Sequence, residues 1–279
     1  MKPDIVTKRG PRINACSYGL SRVPFRGPRK PLGGRYVACL GGSETFGKYL
    51  PRPWPDLLEE RLGLTCINLG CLNAGPDLFL RDAGVRALAH DAAATVIQVT
   101  GAVNQSNRFF RVHPRRNDRF LGPTDALRLL YPEVDFTEIA FTRHLVQVLY
   151  RVCPDRFDKL RVELQKVWLR RMKQILAEIA GPVLVLWLAE HAPAPEGPVQ
   201  AAEDLRRDPT LVTDGMLDRL RPHVAAVIDS RPSAAALSRG VDGMVYGALD
   251  IHAARAMLND AAHGEAAARV EPILRQALA

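Results

Sequence analysis

Five short runs, apolar at nearly every position, constrain this chain most: "YVACLG" (36–41), "TCINLG" (65–70), "TVIQVTG" (95–101), "VLVLWLA" (183–189) and "VAAVID" (224–229). A strand that meets water on one face alternates apolar and polar residues; a strand covered on both faces does not. Longer amphipathic segments lie between the runs: "WPDLLEERLG", which Gly63 would end, "DLFLRDAGVRALAH", the long "DRFDKLRVELQKVWLRRMKQILAEIAG" and "TDGMLDRLRP". Apolar strands alternating with helices predict an α/β fold, a three-layer α/β/α sandwich around a mainly parallel five-stranded sheet. About 80 residues separate the third and fourth runs, where a crossover needs only a dozen or so. The excess predicts an insertion at about 105–160 within a single domain covering 36–279, loop-rich from Gln105 to about Glu138.

The charge is unevenly placed. Of the net +8, all lies in residues 1–35, which hold nine Lys or Arg against one acid, Asp4. This arm is rich in Gly and Pro and reads as extended chain without regular structure. It is either a clamp for an anionic partner or a solvated arm lying across the body, the commoner role of a charge run.

The apolar runs fall short of the roughly 20 residues that span a bilayer. No apolar stretch follows the charges of "MKPDIVTKRG", so no signal peptide is expected and a cytoplasmic location is. Cys16, Cys39, Cys66, Cys71 and Cys153 form no C-x-x-C pair and read as small hydrophobes. His, Asp and Glu do not cluster at metal-ligand spacing, so neither a metal nor another cofactor is expected.

Ligands of open parallel sheets bind beyond the carboxyl ends of the strands. Those positions hold Gly42-Ser43-Glu44, "GCLNAGPD" (70–77), "GAVNQSN" (101–107) and Glu190-His191. Near the end of the chain Asp260 and His263 stand three apart, on one face of a helical turn. Asp250 and His252 are a competing pair, ranked lower because alternate residues of a strand point to opposite faces.

Together, the serine after a glycine pair, "INLGCLNAG", the asparagine beyond the third strand and D-x-x-H before the last helix resemble the four sequence blocks of the SGNH/GDSL hydrolase superfamily, from about Tyr36 onward. More closely, "LGGSETFG", "NAGPD" and "VHPRRNDRF" resemble an uncharacterised bacterial branch of it, a domain of unknown function. The resemblance implies an SGNH/flavodoxin-like sheet, with Ser43 as nucleophile, His263 as general base and Asp260 as the acid that orients it. It implies an oxyanion hole from the backbone N–H of Ser43, a backbone N–H of the 70–75 turn (Gly70 or Asn73) and the side-chain amide of Asn104. Departures are visible. Gly41-Gly42-Ser43 replaces Gly-Asp-Ser, Asn73 stands where a glycine is expected, and Gly101-Ala-Val-Asn104 is one residue longer than Gly-x-Asn.

The chemistry has its own logic. A serine hydroxyl needs a base within hydrogen-bond reach, and the base needs a partner that fixes its tautomer. Each residue also has a plainer role: Ser43 or Asp260 as a helix N-cap, His263 as a first-turn surface residue.

In "VHPRRNDRF", the side chains of Arg111, His113, Arg115, Arg116 and Arg119 suit an anionic substrate group, a phosphate, sulfate or carboxylate. The alternative is a solvated loop paired with Asp118, Glu133 or Asp135. Aromatics flank the segment only at its edges, so nucleic acid is not an expected partner. Two function classes follow: a serine esterase acting on a small-molecule or glycan ester, with O-acetyl, carbohydrate, lipid and anionic esters among the candidates, or a catalytically weak binding protein or acyltransferase that recognises an anionic glycan or partner.

Overall fold

The computed structural model describes residues 13–279. Two short antiparallel strands come first, β1 (Ala15–Cys16) and β2 (Phe25–Arg26). The central strands β3 (Tyr36–Gly41), β4 (Thr65–Gly70) and β5 (Ala94–Gln98) follow. A hairpin of β6 (Phe110–His113) and β7 (Arg116–Pro123) precedes β8 (Val183–Trp187) and β9 (Ala226–Asp229). Strands β4-β3-β5-β8-β9 form one wholly parallel sheet, in that order.

Alternate residues of the apolar runs feed two cores. Val37 and Cys39 of β3 join Val96, Leu184 and Ile228 beneath helices Trp54–Leu62 and Asp260–Leu278. Ala38 and Leu40 join Ile67, Ile97 and Val185 beneath helices Pro76–Arg81, Ala83–His90, Thr142–Val152 and Pro154–Ala177. The expected three layers are present. Helix Trp54–Leu62 ends at Gly63 in the left-handed region (φ 66°), which glycine adopts without a Cβ clash. The single helix expected over "DLFLRDAGVRALAH" is two helices, because Asp82 leaves helical geometry and caps the second by accepting from the Val85 N–H.

The described part of the basic arm lies across the body and is anchored in it; residues 1–12 lie outside the described residues. Tyr18, Val23 and Phe25 are buried in the core. The Arg26 guanidinium is buried too, donating to the carbonyls of Phe46, Gly47, Leu50 and Pro51. Lys30 pairs with Asp56 and Glu59. Hydrophobic residues spaced among the charges seat this segment on the body; Arg26 and Lys30 face inward partners, while Arg22, Arg29 and Arg35 are exposed.

The long crossover from β5 to β8 also holds more order than a loop-rich insertion. Phe110, Val112 and Phe120 of the hairpin point inward and are buried, a period of two that the arginines between them obscure in the sequence.

Candidate active site

From β3 the chain goes to β4 on one side and then crosses back to β5 on the other, so the crevice at the carboxyl ends of β3 and β5 is a topological switch point. Ser43 stands there. The turn that presents it is built by Gln98, the polar end of β5, whose buried Oε1 accepts from Gly42 N at 2.9 Å and from Thr45 Oγ1 at 2.8 Å. Gly41 must be glycine, since a Cβ would lie 2.0 Å from Thr45 Oγ1.

Asn73 and Asn104 meet Ser43. The Asn73 N–H donates to Ser43 Oγ at 3.0 Å, and the serine hydroxyl donates back to Asn73 Oδ1 at 3.3 Å. The Asn104 amide donates to the Asn73 carbonyl at 2.9 Å, and Asn104 Oδ1 accepts from the Thr142 hydroxyl at 2.6 Å. Asn73 has φ 53°, a left-handed conformation in which asparagine is the usual substitute for glycine. The departure noted at this position therefore keeps the backbone shape. Gly70 has a different task from the one the resemblance implies: its N–H is taken by Asn68 Oδ1 at 2.9 Å. A Cβ on it would lie 2.4 Å from Phe46 N, so it allows the turn after β3 to pass close over β4.

His263 does not reach Ser43 by a hydrogen bond. The ring is fully buried, and its Nδ1 accepts from the Trp54 backbone N–H at 3.1 Å. A backbone N–H can only donate, so the neutral ring carries its proton on Nε2, which faces Glu44 Oε2 at 3.2 Å. Glu44 also accepts from Leu258 N at 3.3 Å. The imidazole is therefore a donor that aims a carboxylate, where a serine base needs a free lone pair. No hydrogen bond joins Asp260 to His263 among the described residues; Asp260 opens the last helix, and its cap is Asn259, which accepts from Ala262 N at 3.0 Å. Of the competing pair, Asp250 accepts from Tyr49 OH at 3.0 Å and Lys48 Nζ at 3.3 Å, and His252 is exposed. The Tyr49 bond, reinforced by Lys48, holds the Asp250 carboxyl below the usual aspartate value, and the Tyr49 hydroxyl pushes the Lys48 amine up.

The Arg-rich hairpin supports the site from behind. Asn117, fully buried, accepts from Gly75 N at 3.0 Å and Leu78 N at 3.1 Å, closing the "NAGPD" turn. Asp118 accepts from Asn73 Nδ2 at 3.2 Å. His113 Nδ1 accepts from the N–H groups of Arg115 and Arg116, both at 3.2 Å, shaping the hairpin turn. Arg119 lies over the Phe141 ring, with its guanidinium carbon 4.2 Å from the centroid. Neither His113 nor Arg115, Arg116 or Arg119 lines the cleft at Ser43. Of the acids considered as loop partners, Glu133 pairs with Arg156 and Asp135 binds Thr137.

That cleft has a volume of about 560 Å³ and lies beyond the ends of β3, β4, β5 and β8. Leu72, Leu188 and Met257 supply apolar wall, and Arg143, Arg206, Arg207 and Arg255 supply charge. The arginines had no signature in the sequence, because three separate stretches of chain bring them together. Gln98 did have one: it is a polar residue ending a wholly apolar strand. Among the described residues no helix is long and apolar enough to cross a membrane.

A family model described as a domain of unknown function, DUF6473, matches residues 1–278. No curated protein matches. Among solved structures, the chain is similar to phospholipase A1 from Streptomyces albidoflavus at 10% identity, over 87% of this chain and 99% of that one, with a TM-score of 0.46. It is similar to a lipase from a goat rumen metagenome at 14% identity, over 86% and 97% of the two chains, with a TM-score of 0.43. A lipase/acylhydrolase from Enterococcus faecalis is similar at 13% identity, over 80% and 92%, with a TM-score of 0.35.

Proposed function

The chain belongs to the DUF6473 family, and on that premise we propose that it is an ester-directed acyl hydrolase with Ser43 as its nucleophile. The family description names no reaction, so the reading rests on the site. One observation carries it: the Ser43 hydroxyl, at a strand end in a cleft, accepts the Asn73 N–H at 3.0 Å.

When Oγ attacks an ester carbonyl carbon, the carbonyl oxygen takes up negative charge. The Asn73 N–H passes from the serine to that oxygen, and the second hydrogen of the Asn104 amide is a further donor. A donor of this kind contributes roughly 2.7 to 4 kcal/mol to the transition state. Glu44, beside Ser43 and lining the same cleft, accepts the proton that Oγ loses; His263 and the Leu258 N–H hold it in place. The alcohol departs with a proton, an acyl group stays on Oγ, and water releases it as the acid.

A second reading, an anion-binding protein without turnover, is favoured by the Trp54 N–H, which deprives His263 of the lone pair a serine base requires. Labelling separates the two. A fluorophosphonate should attach to Ser43, and Ser43→Ala should abolish the adduct. A wild-type protein that stays unlabelled supports the binding reading; an adduct that persists in the variant means another nucleophile.

A further inference from the structure

The cleft is lined by five cations, Lys48, Arg143, Arg206, Arg207 and Arg255, against three acids, Glu44, Glu190 and Asp208. Two of the cations are already neutralised: Lys48 pairs with Asp250 at 3.3 Å, and Arg143 pairs with Asp208. Glu44 is occupied by His263 and Leu258. Arg206 and Arg255 have no carboxylate within 4.0 Å among the described residues, and the Arg207 partner, Asp204, stands at that limit with both side chains exposed. Three guanidiniums thus line one cleft without a close ion-pair partner, while Glu44 and Glu190 share it unpaired with them. Low-dielectric walls focus such a field, and a guanidinium fork matches the two oxygens of a carboxylate or phosphate.

The backbone beneath Arg206 and Arg207 is fixed. Thr210 Oγ1 donates to the Arg207 carbonyl at 2.8 Å, and Ala102 N donates to the Thr210 carbonyl at 2.9 Å, tying the segment to the loop after β5. His191 Nε2 lies 3.1 Å from the Asp208 carbonyl. A Cβ on Gly101 would lie 2.8 Å from Thr210 N, so the two loops touch through a glycine. Arg206 and Arg207 therefore project from a set position beside an apolar wall, and Arg255 faces the same cleft from the helix Ile251–Arg255.

We infer that Arg206, Arg207 and Arg255 form a subsite for an oxyanion, a carboxylate or phosphate. The ligand is a small amphiphile with an apolar body and an anionic group. That this ligand is also the substrate rests on the Ser43 reading; that it binds does not.

Calorimetric titration of the Ser43→Ala protein with phenyl phosphate and with benzoate tests the site without turnover. Saturable binding is expected, tighter for whichever oxyanion the subsite prefers. Adding Arg206→Ala and Arg207→Ala should weaken it about tenfold, while adding Lys166→Ala and Arg170→Ala, an equal loss of charge on an exposed helix face, should not. No binding to the Ser43→Ala protein, or equal weakening by both double substitutions, overturns the subsite. Wild-type turnover of phenyl acetate and of its para-carboxylate analogue tests the other half. If neither ester is cleaved while the titration succeeds, the esterase reading fails and the anion subsite stands. If both are cleaved, the two arginine substitutions should lower the preference for the carboxylate ester about tenfold, and an unchanged preference overturns the assignment of the anion to the substrate.

Discussion

Asn73 grips Ser43 with both its backbone and its side chain: the N–H donates to Oγ at 3.0 Å, and Oδ1 accepts from the same hydroxyl at 3.3 Å. Backbone conformation and side-chain chemistry at this position can therefore be separated by substitution. With φ at 53°, Asn73→Gly keeps the conformation and loses only the amide, whereas Asn73→Ala adds a left-handed penalty of roughly 1 to 2 kcal/mol. Thermal unfolding should rank the glycine variant as the more stable of the two. If Oδ1 only orients the resting serine, the glycine variant should also keep more ester turnover than the alanine variant. The opposite order in both measurements would mean that the turn does not depend on its left-handed residue.

The Glu44 and His263 pair yields a test of which group takes the proton. Glutamine can accept from the Trp54 N–H through its oxygen and donate to Glu44 through its nitrogen, yet it cannot act as a base. His263→Gln should therefore retain much more activity than His263→Ala, and Glu44→Gln should lower kcat/KM by about 10²-fold or more. Steady-state rates on an aryl acetate decide it. If His263→Gln is as inactive as His263→Ala while Glu44→Gln is active, the imidazole is the base and its hydrogen bonds must rearrange during turnover.

Asp77 carries the next prediction. Its side chain is 1% exposed, pairs with Arg171 and lies 3.5 Å from Arg81, and it accepts from Ser106 N at 3.0 Å. Arg171 also donates to the Ser106 carbonyl at 2.9 Å, joining the long helix to the loop beside the site. Removing one partner of a buried pair typically destabilises by about 3 to 5 kcal/mol, because a charge is left uncompensated. Arg171→Ala should show a loss of that order in urea unfolding, with Asp77→Ala and Arg171→Ala together losing less than the sum of the two. A loss below about 1 kcal/mol would show that Arg81 suffices.

A pH-dependent contribution is expected at Glu265. The Ser233 hydroxyl, then its N–H at 2.9 Å, holds this carboxyl below its ordinary value of 4.5. A depressed carboxyl stabilises the fold above its unfolded value, and the contribution disappears as pH falls through the folded value. Glu265→Gln should be less stable than wild type near neutral pH, and the gap should close as pH is lowered past about 4. A gap that widens in acid would reverse the sign of this linkage.

The five sheet strands were legible because their residues are mostly apolar, four of the strands being buried almost throughout and β9 only in part; β3 and β4 run over the expected residues, and β5, β8 and β9 differ by up to three positions at their ends. The hairpin at 110–123 was not, since exposed Arg111 and Arg116 hide the inward period of Phe110, Val112 and Phe120. Ser43, Asn73 and Asn104 could be read from strand ends, where the topology fixes what meets. The partner of His263 could not. Its tautomer depends on Trp54, 209 positions away in the chain and brought near by helix packing on the far face of the sheet.

The latch formed by Arg26 on the carbonyls of 46, 47, 50 and 51 also has a meaning in time. A chain emerges from the ribosome N-terminus first. Arg26 and every group that shapes the serine turn, from Gln98 through Asn104 to Asp118, are made before β8 is complete. The arginine wall at 206, 207 and 255, and His263 with it, arrives in the last third of synthesis. Ser43 and its turn are thus an early product of the chain, and the arginines proposed to choose a ligand are added last.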